Sequence, residues 1–315
     1  GRLALSVEYY TRKTTDMLLE YPMALSTGFK NYNANAGSMR NQGLEATIRG
    51  TVLDKPNFRW DATVMGSFNR NKVLGLTGGQ DVITSGLRVI EVGKPIYTFY
   101  LPKTAGVDPA TGKQLYYAYW TQSVDDNGKL TNVRCDEYIT DNVSMASLSK
   151  YYHGSREPKL FGSIGSNFTI FKNIDFSFLT TYSIGGYVYD GLYSGTMNVQ
   201  YAGNNWHKNA KRRWQKPGDR TDVPMLEVGG SYATSDNSLI SASYFAIKNI
   251  TIGYTLPKRW LGKLDIESLR IYATFDNIAM FNHMDGMDPQ YNFTGNVAYS
   301  YAPSRVIAFG LDLNF

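Results

Sequence analysis

The sequence predicts an all-β fold, an antiparallel transmembrane β-barrel with roughly eight strands in this chain and long extracellular loops. Three observations lead there. The first is a composition at once aromatic and polar: 24 Tyr, 15 Phe and 5 Trp in 315 residues, at a mean hydropathy of −0.32. A soluble core hiding so many rings would carry matching Leu, Ile and Val, whereas a membrane barrel needs rings at its two interfaces and a polar lumen. The second is a period-two alternation of apolar and polar residues that recurs along the chain. The third is a regular exchange of short and long connections between those segments. No stretch approaches the ~18 consecutive apolar residues of a membrane helix, so a crossing of the bilayer has to be made by a closed barrel.

The first strand lies near the start, where Leu3, Leu5, Val7 and Tyr9 alternate with Ser6 and Glu8. Leu44, Ala46 and Ile48 against Glu45, Thr47 and Arg49 make the second, and Trp60, Ala62 and Val64 against Asp61 and Thr63 the third. A fourth is expected before a Phe171-Lys172-Asn173 turn, after which Ile174, Phe176 and Phe178 alternate with Asp175 and Ser177. Residues 244–256 also alternate, with Lys248 on the apolar face and expected above the hydrocarbon. Leu269, Ile271, Ala273 and Phe275 oppose Arg270, Tyr272, Thr274 and Asp276. In the last strand Ile307, Phe309, Leu311 and Leu313 are expected toward lipid, with Asp312 and Asn314 toward the lumen. Phe309, Leu311, Leu313 and Phe315 are the candidate C-terminal assembly signal of the barrel. Strands of about 9 to 13 residues suffice to cross at a tilt.

The connections follow a parity. A long stretch reaches to about residue 42, Asp54-Lys55-Pro56-Asn57 is a tight turn, and a very long stretch runs to about 157. Then come the short turn at 171–173, a long loop to about 240, a compact connection at 257–266 and a loop at about 278–303. Barrels of the outer membrane have short periplasmic turns and long extracellular loops. A soluble sandwich has no reason to keep such parity.

The net charge of +5 and pI near 9.0 are mild for this length, and only residues 207–213 (HKNAKRR) form a basic cluster. Flanked by Trp206 and Trp214, it allows a nucleic-acid reading, but one short cluster favours solvated loop charge or contact with anionic glycolipid. The single Cys135 cannot form an intrachain disulfide. The chain starts at Gly1 in what already reads as a strand, with no signal peptide, so an N-terminal portion is expected to be missing.

Catalytic and metal chemistry find little support. His153, His207 and His283 are scattered over three loops without zinc-like spacing. Asp125-Asp126-Asn127-Gly128 faintly resembles a calcium loop, but Ser123 and Arg134 occupy the first and twelfth ligand positions. Asp190, Asp219, Asp222, Asp285 and Asp288 could supply a glycosidase pair, yet acids beside Gly and Pro mostly initiate turns. Nucleophile-elbow, phosphate-loop and dinucleotide fingerprints are absent. The expectation is no enzyme, no cofactor and no metal.

The aromatic clusters are the better lead. Tyr116, Tyr117, Tyr119 and Trp120 sit in the stretch 71–157, and Trp206 and Trp214 in the stretch 186–240. Rings with polar handles suit sugar, peptide or protein contacts; the competing reading is that they pack the loops onto each other.

Several segments together resemble the SusC/RagA-type TonB-dependent outer-membrane transporters. They are residues 3–19 (LALSVEYYTRKTTDMLL), 41–46 (NQGLEA), 92–97 (VGKPIY), 106–112 (GVDPATG), 183–189 (SIGGYVY), 213–219 (RWQKPGD), 242–257 (ASYFAIKNITIGYTLP) and 286–289 (GMDP). They span nearly the whole chain in the order that family shows. The resemblance implies a barrel of about 22 strands, of which residues 1–315 would be the C-terminal part of one barrel domain, with the plug, TonB box and first strands outside this chain. It also implies location in the cell outer membrane and active import of oligosaccharides or oligopeptides. The implied partners are a SusD-like surface lipoprotein acting as a lid, and the TonB complex, reached through the absent N-terminal part. A complete eight-stranded barrel and a soluble carbohydrate-binding β protein stand as the alternatives.

Overall fold

The computed structural model describes residues 2–29, 31–77, 81–198, 203, 205–227, 232–262, 266–284, 286–297 and 301–315. Eight strands form one antiparallel sheet in which each pairs with the next: β1 (Leu3–Thr14), β2 (Gly37–Lys55), β3 (Phe58–Leu76), β4 (Leu160–Ile170), β5 (Ile174–Ile184), β6 (Tyr244–Thr255), β7 (Ser268–Asn282) and β8 (Val306–Asn314). The meander keeps the expected parity. At one end the connections are 56–57, 171–173 and 256–267; at the other they are 15–36, 77–159, 185–243 and 283–305. The 171–173 turn puts both Phe171 (φ 50°) and Lys172 (φ 65°) in the left-handed region, as the primed hairpin turns require.

The two faces of this sheet differ in kind. On one, Phe309 is 80% exposed, Leu3 70% and Leu311 60%, with Leu5, Val7, Tyr9 and Ile307 also exposed. An apolar face this bare on a folded chain needs lipid or another apolar cover. Rings band it at both ends. Trp60 stacks on Phe168 at 5.6 Å, and Phe168 lies 5.7 Å from Phe176, all near the short turns. Phe245 and Phe281 meet at 6.4 Å near the long connections.

The other face is polar, and several of its side chains pair with one another, although among the described residues Thr181 Oγ1 is buried there without a hydrogen-bond partner. Arg270 pairs with Asp175 at 2.6 Å and with Asp312 at 3.0 Å, Asn249 donates to Asp276 at 2.7 Å, and Tyr10 donates to Asn69 at 2.9 Å. Two of these contacts skip a strand. Tyr10 on β1 crosses its partner Gly43 on β2 to reach Asn69 on β3. Arg270 on β7 crosses Gly253 on β6 to reach Asp175 on β5. A Cβ at Gly253 would stand 2.6 Å from the Arg270 guanidinium, so the missing side chain opens the way.

Three expectations are corrected. Strands are not limited to 9 to 13 residues: β2 and β3 each have 19, because this hairpin continues beyond the others on polar positions such as Arg40, Asn41, Arg70 and Asn71. Lys248 does not sit on the apolar face above the hydrocarbon. It is the extra residue of a β-bulge, where the pairing with β5 passes from Leu179↔Asn249 to Thr180↔Ile247; the bulge shifts the phase, so Ile247 and Phe245 line up with the apolar face. The stretch expected as loop from about 71 to 157 is largely a second sheet. Thr98–Val107, Gln114–Val124, Leu130–Thr140, Val82–Ser85, Arg88–Glu91 and Lys150–Ser155 make six strands, of which Thr98–Val107 carries buried residues on both faces while Leu130–Thr140 is largely exposed, so lipid-type alternation is lacking.

The buried cores lie in these excursions. Val188, Ala242, Met284, Met287 and Val297 form one cluster, and Phe99, Leu101 and Tyr189 another. The stretch 283–305 is fastened onto them: Arg156 donates to Pro289 O at 2.7 Å, Arg88 to Thr294 O at 3.0 Å, and Tyr189 N to Gly295 O at 2.7 Å.

Candidate ligand and lid surface

The GVDPATG and RWQKPGD segments, far apart in sequence, meet. Asp108 closes its own turn by accepting from Ala110 N at 2.9 Å and the Thr111 hydroxyl at 2.6 Å, which brings Gly112 to φ +74°. Trp214 lays its ring over Gly112, where a Cβ would meet it at 2.5 Å, and donates its indole N–H to Pro109 O at 3.0 Å. Met225 N donates to Gly112 O at 2.8 Å. Trp214 is thus placed as a loop-to-loop anchor. Asp219 accepts from Gln215 N and Lys216 N and holds the turn after it.

The four aromatics of the first cluster lie on the strand Gln114–Val124, not in a loop. Tyr116 is 1% exposed, and its hydroxyl accepts from Ala233 N at 3.0 Å; burial pushes its phenol up to about 12. Tyr117 carries the Lys103 ammonium 4.4 Å above its ring. Tyr119 donates to Lys150 O at 2.7 Å under the Arg134 guanidinium, and burial raises it to about 12. Trp120 is half-buried, held by its backbone N–H to Ser149 Oγ at 3.2 Å.

Two concavities open among the excursions. One, of about 200 Å³, is lined by Gln114, Tyr116, Tyr189, Tyr193, Asp222 and Tyr232. The other, of about 700 Å³, is lined by Tyr193, Trp206, His207, Asn209, His283 and Asp190. Tyr193 borders both, its ring edge-on to His207 at 4.9 Å. Trp206 is 38% exposed here. The structure therefore brings Tyr116 and Trp206 to neighbouring cavities, and leaves Tyr117, Tyr119, Trp120 and Trp214 outside both linings. Tyr189, Tyr193 and Tyr232 escaped the reading of the sequence as site residues. Residues 183–189 carried a signal only as a resemblance, without a role.

The carboxylates are occupied one by one. Asp190 caps the helix Gly191–Met197 through Tyr193 N at 2.8 Å, and burial raises its pKa. Asp222 pairs with Arg212 at 3.1 Å, Asp288 accepts from Gln290 N at 2.8 Å, and Asp285 lies outside the described residues. Among the described residues no group of three His, Cys, Asp or Glu could hold a metal ion, and no helix is long and apolar enough to cross a membrane. His153 makes a 3.1 Å contact with Leu101 O. The Asp125 turn closes on itself through Asn127 N and Lys129 N. In the basic cluster, Lys208–Arg212 is one 3-10 turn.

Comparison with known proteins places this geometry. No family model matches. The whole chain aligns with the TonB-dependent receptor SusC of Bacteroides thetaiotaomicron at 28% identity, covering 30% of that protein. It also aligns throughout with TonB-dependent receptor P39 of Formosa agariphila at 27% identity, covering 34%. Among solved structures it is similar over its full length to the RagAB peptide transporter, with a TM-score of 0.84, 27% identity and 34% of that chain covered. The 'open-open' state of the RagAB peptide importer matches with a TM-score of 0.78 at 25% identity. The chain thus spans about a third of the length of the relatives it matches.

Proposed function

We infer that this chain, a SusC/RagA-type TonB-dependent transporter sequence by its fold and its relatives, serves TonB-dependent uptake across the outer membrane as part of a barrel wall with its extracellular body. One observation carries the reading. The eight-stranded sheet is bare and apolar on one face, polar on the other, and alternates short with long connections, in the same arrangement as a solved transporter chain at a TM-score of 0.84. β1 and β8 are the two edges of the sheet and do not pair with each other, which weighs against a closed barrel of eight strands.

The chemical role is import without a bond-making step. Residues 1–315 belong to one outer-membrane barrel domain, as its C-terminal part, and the short turns face the periplasm. The excursions 77–159, 185–243 and 283–305 face outward and take the ligand, an oligosaccharide or oligopeptide, and a SusD-like lipoprotein as lid. Tyr232 in the smaller cavity and Trp206 in the larger, with Tyr193 bordering both, present ring faces with polar groups beside them, the combination that holds sugars or peptide side chains. Tyr117, Tyr119 and Trp120 face the lid, and Trp214 keeps the surface in shape. Energy comes through the TonB complex, acting on parts of the protein outside this chain.

The test uses the complete transporter in its host. Trp206→Ala should slow growth on the imported nutrient, since truncating an anchoring ring often costs about 2 kcal/mol or more, while barrel content stays normal. Trp120→Ala should reduce co-purification of the lid. Unchanged growth and unchanged lid recovery in both variants would remove these residues from the site.

A further inference from the structure

The polar face holds a third large side chain over a glycine. Tyr272 on β7 lies between Gly253 on β6 and Gly310 on β8, its partners in register. A Cβ at Gly310 would collide with its ring and hydroxyl. The same geometry recurs where the outcome is visible. Tyr10 Oη lies 2.6 Å from a Cβ built on Gly43 and continues to Asn69, one strand further on. On the opposite, apolar face Tyr182 Oη lies 2.7 Å from a Cβ built on Gly162 and continues to Met65 O, again one strand further on. In both cases the side chain passes a neighbour without a Cβ and bonds the next strand. At Tyr272 the neighbour is β8, and among the described residues nothing pairs with the far side of β8 and nothing accepts from the Tyr272 hydroxyl.

We propose that Tyr272 reaches over Gly310 to hydrogen-bond a strand that pairs with the free edge of β8 and is contributed by the same protein from outside residues 1–315. This rests on the transporter reading above. The occupant follows from three points. A strand edge cannot stay open in lipid. β1 is an edge of the same sheet and is not paired with β8. Relatives carry about two thirds of their length beyond the matched part, enough for further wall strands. The contact is to an inward-facing polar side chain or a backbone carbonyl, since those are what Tyr10 and Tyr182 find. Tyr272 would then latch the barrel seam, with the Arg270 guanidinium 4.7 Å from its ring holding it in place.

The test replaces Tyr272 by p-benzoylphenylalanine in the complete transporter, irradiates outer membranes and maps the crosslinked peptides by mass spectrometry. A crosslink within one chain to a peptide outside residues 1–315 is the expected result. Crosslinks to residues 3–14, to a second copy, or only to 251–255 and 306–314 would each overturn the proposal. In parallel, Tyr272→Phe should shift the heat-modifiable band to a lower conversion temperature, whereas Tyr254→Phe, on the apolar face, should not. No shift for Tyr272→Phe also counts against the latch. If the unaltered protein forms no detergent-requiring barrel at all, the transporter reading falls, and the latch with it.

Discussion

Phe309 and Asp312 lie three residues apart on β8 and should answer a change of charge to very different extents. Phe309 is 80% exposed on the apolar face and lies near the middle of its nine-residue strand. An Arg there meets hydrocarbon, at a cost of about 2–4 kcal/mol near the midplane, or roughly thirty- to nearly a thousand-fold in the folding equilibrium. Asp312 is on the other face, its side chain 53% exposed and 3.0 Å from Arg270. Asp312→Asn removes one of two partners, and Arg270 keeps Asp175 at 2.6 Å; a screened surface pair of this kind is worth about 1 kcal/mol at most. Leu311→Arg, closer to the strand end, should fall between the two. The assay folds the complete transporter into lipid vesicles and follows urea unfolding by the heat-modifiable band. Equal destabilisation by Phe309→Arg and Asp312→Asn, or the reverse order, would refute the assignment of the faces.

Glu157 offers a pH test at the rim. Burial of Glu157, just before β4, lifts its carboxyl from the usual 4.5 to about 6, against a backbone hydrogen bond from Asn71 on β3. The protonated form is the one folding favours, so its contribution is complete below pH 4.5 and fades as pH rises through 6. Glu157→Gln should leave stability unchanged at pH 4.5 and raise it by about 1–2 kcal/mol at pH 8, where a carboxylate half-covered by protein is ionised in both states; a gain at the acid end instead would invert the reasoning. Gly112→Ala forces a strained left-handed residue, about 1–3 kcal/mol, into the Trp214 ring, and should expose residues 205–227 to protease without reducing membrane-embedded barrel. Residues 1–315 expressed alone should aggregate, since two strand edges stay open; a soluble or stably folded product would contradict a wall segment.

The wall was legible because lipid on one side and water on the other write period two into every strand, as in Ile307 to Phe315. The bulge at Lys248 is written there too, as a change of phase: Phe245 and Ile247 are one phase, Ile250 and Ile252 the other. The second sheet was not legible, because a strand such as Gln114–Val124 places the buried Tyr116 and the part-exposed Tyr117 on opposite sides with no polar alternation to tell them apart. The cavities were beyond reach for a different reason. Tyr116, Tyr193 and Tyr232 come together only through packing between excursions, and Trp214 looks identical to Trp206 in sequence while doing a different job.

The excursions hold each other at Trp214 and Pro109, Arg156 and Pro289, and Arg88 and Thr294. One strand stands apart. Among the described residues Leu130–Thr140 pairs only with Gln114–Val124, and Val124 and Leu130, opposite each other at the tip, are both 62% exposed. A residue inserted beside Pro109 or Pro289 would have to be absorbed by segments on two or three excursions at once. One inserted at Asn127 is carried on a hairpin end that nothing else leans on. Change in length is therefore cheap at residues 125–129 and expensive beside Pro109 or Pro289, so among the described residues this hairpin end is a natural outlet for diversification of the surface, and an epitope tag placed there would test which side of the membrane it faces without loosening the rest.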